Sequence, residues 1–164
     1  MKPPKAPLET RPLFIRGLVT GLVGAAAVAV WFMLLDLIAG YPFRTPAALG
    51  SALLFGASGE RMVPGPGVVA VYTVVHVAAF AISGLIFVAI AEQFARWSPV
   101  LPLTIPFAIV LEAVVVAAMA LGARWVLGAV GFWTVLVGNV LAVASMGWYV
   151  WRTDPALRHR VQGP

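Results

Sequence analysis

Four long apolar runs dominate this sequence and restrict what the chain can fold into. Each run has about 20 residues or more, the length a helix needs to cross about 30 Å of hydrocarbon. The runs cover residues 17–39, 68–91, 103–121 and 126–148. Short breaks separate the last three runs, and such connections make neighbouring helices antiparallel. The sequence therefore predicts an all-α integral membrane protein, built as a four-helix bundle.

Composition excludes the other common classes of protein. Hydrophobic residues make up 62% of the 164-residue chain and charged residues 10%, whereas soluble domains have about 45–50% and about 25%. The chain has no Cys, which excludes disulfides, thiolate metal sites and cysteine nucleophiles. It also has neither a Gly-x-Ser-x-Gly nucleophile motif nor a P-loop. We predict a non-enzymatic protein with no cofactor and no metal, and keep an enzyme acting inside the membrane as an alternative.

The distribution of Lys and Arg predicts the orientation of the chain. Eight of the eleven basic residues fall on the side of the two termini, and Arg44, Arg61 and Arg124 fall on the other side. The positive-inside rule therefore predicts that both termini are cytoplasmic. The net charge of +5 follows from this topology, so we do not expect nucleic acid as a partner.

The ends of the chain are predicted to lie outside the membrane domain. Residues 1–12 and 152–164 are polar and rich in Pro or Arg, which favours flexible cytoplasmic tails around a transmembrane domain at 13–151. The first apolar run is longer than the 7–15 residues of a signal-peptide core. It is therefore expected to be a permanent membrane anchor.

The loop between the first two runs contains a helix start signal. Thr45 followed by Pro46 offers a capping hydroxyl and a proline at the first helical position. This predicts a helix over 46–57, too short to cross the membrane. We expect it to lie in the outer interface or to dip into the bundle.

Small residues recur at intervals of four in the first run, at Gly17, Gly21 and Ala25. This small-xxx-small spacing allows another helix to approach closely. It predicts packing within the chain or a homodimer contact, although such spacing also occurs in membrane helices without any particular role.

Each run contains one polar residue that is costly in hydrocarbon. These residues are Asp36, His76, Glu112 and Asn139. A charged side chain at the bilayer centre costs about 2.5–3.5 kcal/mol on insertion scales, so these groups are expected to face the bundle interior. Tyr72 shares a helix face with His76. The estimated depths of the four polar residues, one in each run, descend from the outer surface of the membrane to its midplane. This order predicts a polar pocket that is open to the outside.

Two classes of function remain open for such a pocket. The first is a non-enzymatic accessory or structural subunit, or a binder of lipid, quinone or another apolar ligand in the outer half of the bundle. The alternative is a small oligomeric transporter or proton-linked channel in which His76 and Glu112 handle the proton. The expected partners are the lipid bilayer and either a larger membrane-protein complex or further copies of the chain.

Several short motifs resemble a known group of proteins. They are the R-x-P loop at 44–46, a His-bearing second span closed by AEQFAR, and a fourth span ending in WYVWRTDPALR. Together they resemble small, uncharacterised bacterial inner-membrane proteins with four spans. The resemblance implies a four-span architecture in the inner (plasma) membrane and carries over no functional residue.

Overall fold

A computed structural model describes residues 10–55, 65–95 and 131–153, and all regular secondary structure in these ranges is helical. The four helices are α1 (Thr10–Ile38), α2 (Arg44–Phe55), α3 (Pro66–Ala95) and α4 (Phe132–Thr153). Three segments within α1, α3 and α4 are long and apolar enough to cross a membrane, namely Leu13–Ile38, Pro66–Glu92 and Phe132–Thr153. The predicted all-α class is therefore confirmed for the described residues. The predicted third span, 103–121, lies outside them.

The helix ends differ from the predicted boundaries. Helix α1 begins at Thr10, so residues 10–12 belong to the helix and not to the predicted tail. Helix α4 begins at Phe132 and continues to Thr153, past the predicted end at 148. Gly131 precedes α4 with a φ of 85°, a left-handed conformation that glycine adopts without steric cost. Hydropathy alone could not find these ends, because it measures apolar content and not backbone conformation.

Glycines bring α1 and α3 into very close contact. A Cβ on Gly17 would lie 2.7 Å from Cδ2 and 2.8 Å from Cα of Leu85. A Cβ on Gly84 would meet the backbone of Gly17 and lie 2.6 Å from the Cα of Gly21. Carbon atoms in contact are normally about 3.5–4.0 Å apart, so no larger residue fits this crossing. The contact lies within one chain, and its pairing makes α1 and α3 antiparallel.

Helix α1 also packs antiparallel to α4. A Cβ on Gly24 would lie 2.7 Å from Sδ of Met146, and the indole Nε1 of Trp31 donates to the carbonyl of Thr134 at 2.9 Å. Since α3 and α4 both run opposite to α1, they run in the same direction. The chain therefore leaves α3 at one end of the helices and enters α4 at the other.

A cluster of buried apolar side chains lies toward the end of the molecule where α3 finishes. It contains apolar side chains from α3 and α4: Phe87, Val88, Ala91, Met146 and Val150. The outward faces of the same helices are apolar as well, with Val74 69% exposed and Trp133 73% exposed. Exposed apolar faces on long helices are what a surrounding bilayer would cover.

Helix α2 packs against the start of α3. A Cβ on Gly50 would meet the backbone carbonyl of Val68, and both Ala47 and Ala48 are buried. A sharp turn at residues 39–43 leads from α1 into α2. This turn includes Gly40, with a φ of 77°, and Phe43, with a φ of 64°. The turn, α2 and the first residues of α3 form the end of the molecule opposite this buried cluster, and we call it the α2 end.

Candidate functional site

Asp36 joins the end of α1 to the start of α2. Its side chain is buried, with 5% of the residue exposed. Oδ2 accepts a hydrogen bond from the backbone N–H of Thr45, and Oδ1 accepts one from the Thr45 hydroxyl, both at 2.8 Å. The carboxylate thus caps the N-terminus of α2, where the helix dipole favours a negative charge.

This cap corrects the predicted start of the loop helix. The Thr-Pro pair predicted that Thr45 is the capping residue and that the helix begins at residue 46. The helix instead begins at Arg44, and Thr45 lies inside it as a donor. The prediction was wrong because the acceptor comes from Asp36, which lies on the preceding helix and is outside any local capping pattern.

His76 is held at the contact between α1 and α3. Its Nε2 lies 3.2 Å from the carbonyl oxygen of Ala25, and its Nδ1 lies 3.4 Å from the hydroxyl of Tyr72. A carbonyl only accepts, so Nε2 carries a proton, and in the neutral ring Nδ1 accepts from the tyrosine O–H. The imidazole also lies between two aromatic rings, with centroids 5.5 Å from Tyr72 and 4.8 Å from Phe80. Both ring nitrogens therefore have partners.

Asn139 lies closer to the α2 end than His76 does. Its neighbour Gly138 packs against Trp31, where a Cβ would lie 3.2 Å from the indole Cδ1. Trp31 is six residues beyond Ala25 on α1, which corresponds to about 9 Å along the axis. The amide Nδ2 of Asn139 is buried, and it has no hydrogen-bond partner in the part of the chain that the structure describes.

The structure places Asp36 and His76, two of the predicted pocket residues, far apart. Asp36 lies eleven residues beyond Ala25, the residue that His76 contacts, and this is about 16 Å along α1. Asp36 is hydrogen-bonded to Thr45 and His76 to Ala25, so the two residues share no partner among the described residues. Glu112, the fourth member of the predicted pocket, lies outside the described residues.

A cavity at the α2 end lies elsewhere and was not predicted from the sequence. It is an open groove of about 1110 Å³, lined by residues 40–44, 47, 65–66 and 69–70. Its walls are mostly apolar, and Arg44 is the charged residue among those that line it. Tyr41 and Phe43 are 65% and 50% exposed beside it. The cluster of aromatic residues and an Arg between two apolar runs was the available sequence signal.

An ion pair joins α1 and α3 near the other end. Nη1 of Arg16 lies 3.1 Å from Oε1 of Glu92, with both side chains partly buried. One turn along α1, the hydroxyl of Thr20 donates to the Arg16 carbonyl at 2.7 Å, and Thr20 is fully buried. These contacts hold the ends of two long helices together.

Comparisons with other proteins do not assign a function to these features. No family profile, curated protein or solved structure matches the chain. Within residues 10–55, 65–95 and 131–153, no group of three or more His, Cys, Asp or Glu side chains could hold a metal ion. The function must therefore be inferred from the groove and from the polar contacts around it.

Proposed function

We propose that this protein is a non-enzymatic integral membrane protein whose groove at the α2 end binds the hydrocarbon chain of a lipid or quinone. The observation that carries the proposal is the groove itself, with mostly apolar walls and a volume of about 1110 Å³. Ligand pockets typically measure about 300–1,000 Å³, so the groove has room for a long chain.

The proposal includes a fourth membrane crossing at 103–121 and cytoplasmic termini in a bacterial inner membrane. The parallel directions of α3 and α4 support the fourth crossing, because the chain between them must return from one end of the helices to the other. The basic residues near the termini support the orientation. In this arrangement the groove lies on the side of the inner membrane that faces away from the cytoplasm. It is at the level where lipid chains and head groups meet water.

A role as an accessory subunit is compatible with ligand binding. Such a subunit would carry its ligand into a larger membrane complex, and it would copurify with that complex in mild detergent. The contacts of Asp36 and His76 suit this role, since both residues hold helices together and neither lines the groove.

Filling the groove should abolish binding of a hydrocarbon chain. The probe is a long-chain alcohol that carries a diazirine and labels residues 40–47 and 65–70. We expect Ala70→Trp to reduce this labelling about tenfold, which corresponds to a loss of about 1.4 kcal/mol in binding free energy. The reason is steric, because Ala70 is exposed and lines the groove. The measurement is mass spectrometry of cross-linked peptides from purified protein in detergent.

Ala79→Trp is the matched control for this experiment. Ala79 is also exposed on α3. It is nine residues after Ala70, which is about two and a half helical turns, so the two side chains lie on opposite faces of α3. Labelling of the groove peptides should be unchanged in this variant. Equal labelling of the wild type and Ala70→Trp would exclude the groove as the binding site.

The alternative, a proton-linked channel, predicts a proton flux, and we expect no such flux. A proton-linked channel using His76 and Glu112 should acidify proteoliposomes under an imposed potential, and His76→Ala should abolish that flux. We expect no flux above that of empty vesicles, because both ring nitrogens of His76 are engaged in bonds within the protein. A pyranine assay measures this directly, with gramicidin-treated vesicles as the positive control. A flux that His76→Ala removes would contradict the proposal.

A further inference from the structure

We infer that the groove selects a phospholipid with a net negative head group, and that Arg44 is the residue that selects it. This inference rests on the proposed function, because it specifies the ligand of the same groove. It combines three observations: the apolar lining, the position of Arg44 at the start of α2, and the hydrogen bonds within the protein that use the backbone N–H groups at the start of α2.

The first observation concerns the charge in the groove. Arg44 lines the groove, while the buried carboxylate nearest to it in sequence, Asp36, is occupied by the two donors of Thr45. Within the described ranges, the structure gives the Arg44 guanidinium no ion pair. An arginine that lines an apolar groove is suited to an anionic partner, since its planar fork of donors matches phosphate oxygens.

The second observation excludes the N-terminus of α2 as the anion site. A helix start often binds phosphate through its free backbone N–H groups, but those of α2 are already used. Their partners within the protein are as follows: Arg44 N to Tyr41 O, Thr45 N to Asp36 Oδ2, and Ala47 N to Phe43 O. Residue 46 is proline and has no N–H to offer. At the start of α2, recognition of an anion therefore falls to the guanidinium.

The two features together describe an amphipathic ligand. The apolar walls suit a hydrocarbon chain, and Arg44 suits an anion attached to that chain. A quinone has the chain without the anion, and a free phosphate ester has the anion without the chain. An anionic phospholipid has both, so the charge of the groove favours lipid over quinone as the proposed ligand.

The test is competition against the diazirine-bearing alcohol, a neutral probe that engages only the apolar part of the groove. The competitors are phosphatidylglycerol, phosphatidylcholine with the same acyl chains, and soluble glycerol 1-phosphate. With the wild type we expect phosphatidylglycerol to compete about tenfold better than phosphatidylcholine. Tenfold corresponds to about 1.4 kcal/mol, near the lower end of hydrogen bonds to charged groups.

Variants assign this preference to Arg44. Arg44→Gln should lower the preference to about onefold, while Arg44→Lys should keep part of it. Arg152→Gln is the matched control, because Arg152 lies at the opposite end of the molecule over the ring of Trp148. It should keep the full preference. Circular dichroism and gel filtration check that each variant is folded.

The outcomes separate the inference from the proposed function. If Arg44→Gln keeps the preference for phosphatidylglycerol, the inference is wrong, although loss of labelling in Ala70→Trp would still support the groove. If glycerol 1-phosphate competes as well as phosphatidylglycerol, the site binds free phosphate esters and the lipid assignment is wrong. If the alcohol never labels the groove, the proposed function itself fails.

Discussion

Gly84→Ala should push α1 away from α3 and lower the free energy of unfolding by about 1–3 kcal/mol, the usual range for overpacking. We expect the upper part of this range. The new methyl group would meet the backbone of Gly17 and Gly21, and backbone atoms cannot rotate away as a side chain can. Unfolding in mixed detergent micelles, followed by circular dichroism during titration with a denaturing detergent, measures the change.

Gly147→Ala provides the control for this substitution. A Cβ on Gly147 would lie 4.0 Å from Cζ of Phe87, an ordinary van der Waals distance. This variant should be neutral or slightly more stable, because Ala has a better helix propensity than Gly by about 0.8–1.0 kcal/mol. Equal stability of the two variants would show that α1 and α3 do not cross as closely as described.

Asp36→Ala should release the N-terminus of α2 and open one wall of the groove. The substitution leaves the backbone N–H and the hydroxyl of Thr45 without their acceptor. A buried donor without a partner costs about 1–3 kcal/mol, and loss of a helix cap costs about 0.5–2 kcal/mol. Hydrogen exchange measured by mass spectrometry should show faster exchange across α2, about tenfold for each 1.4 kcal/mol of stability that the helix loses, with little change in α4.

Substitutions of Thr45 show how much the hydroxyl and the backbone N–H each contribute to the slow hydrogen exchange of α2. Thr45→Ser keeps both donors and should exchange like the wild type. Thr45→Val keeps the shape and the backbone N–H but loses the hydroxyl, so its effect should fall between those of Thr45→Ser and Asp36→Ala. Unchanged exchange in Asp36→Ala would mean that the carboxylate does not cap the helix.

The fold class could be predicted from the sequence because hydrocarbon imposes a simple length rule. A spanning helix bonds all of its interior backbone groups internally, so a run of about 20 apolar residues is sufficient to specify it. The helix ends could not be predicted as well. The start of α2 depends on Asp36 and that of α4 on a glycine with positive φ, and neither feature changes the hydropathy of the run beside it.

The candidate site was predictable only in its residue types. Asp36 was expected to face the protein, and it is buried. Its partner Thr45 was not foreseen, because the two residues meet only when the turn at residues 39–43 folds α2 back on α1. The groove was missed for a related reason. Its walls come from separate segments, at 40–47 and 65–70, and a cavity between segments leaves no periodic pattern in either one.

The sequence by itself determined that the described chain is helical, which helices can cross a membrane, and that an Asp in the first of them must be sheltered. Those properties follow from the cost of placing polar groups in hydrocarbon, which depends on residue type and run length. Only the tertiary structure decided that His76 bonds to Ala25, that Asp36 caps α2, and that Arg44 lines a groove. These contacts depend on the register between helices, and that register is set by how closely glycines such as Gly21 and Gly84 let the backbones approach.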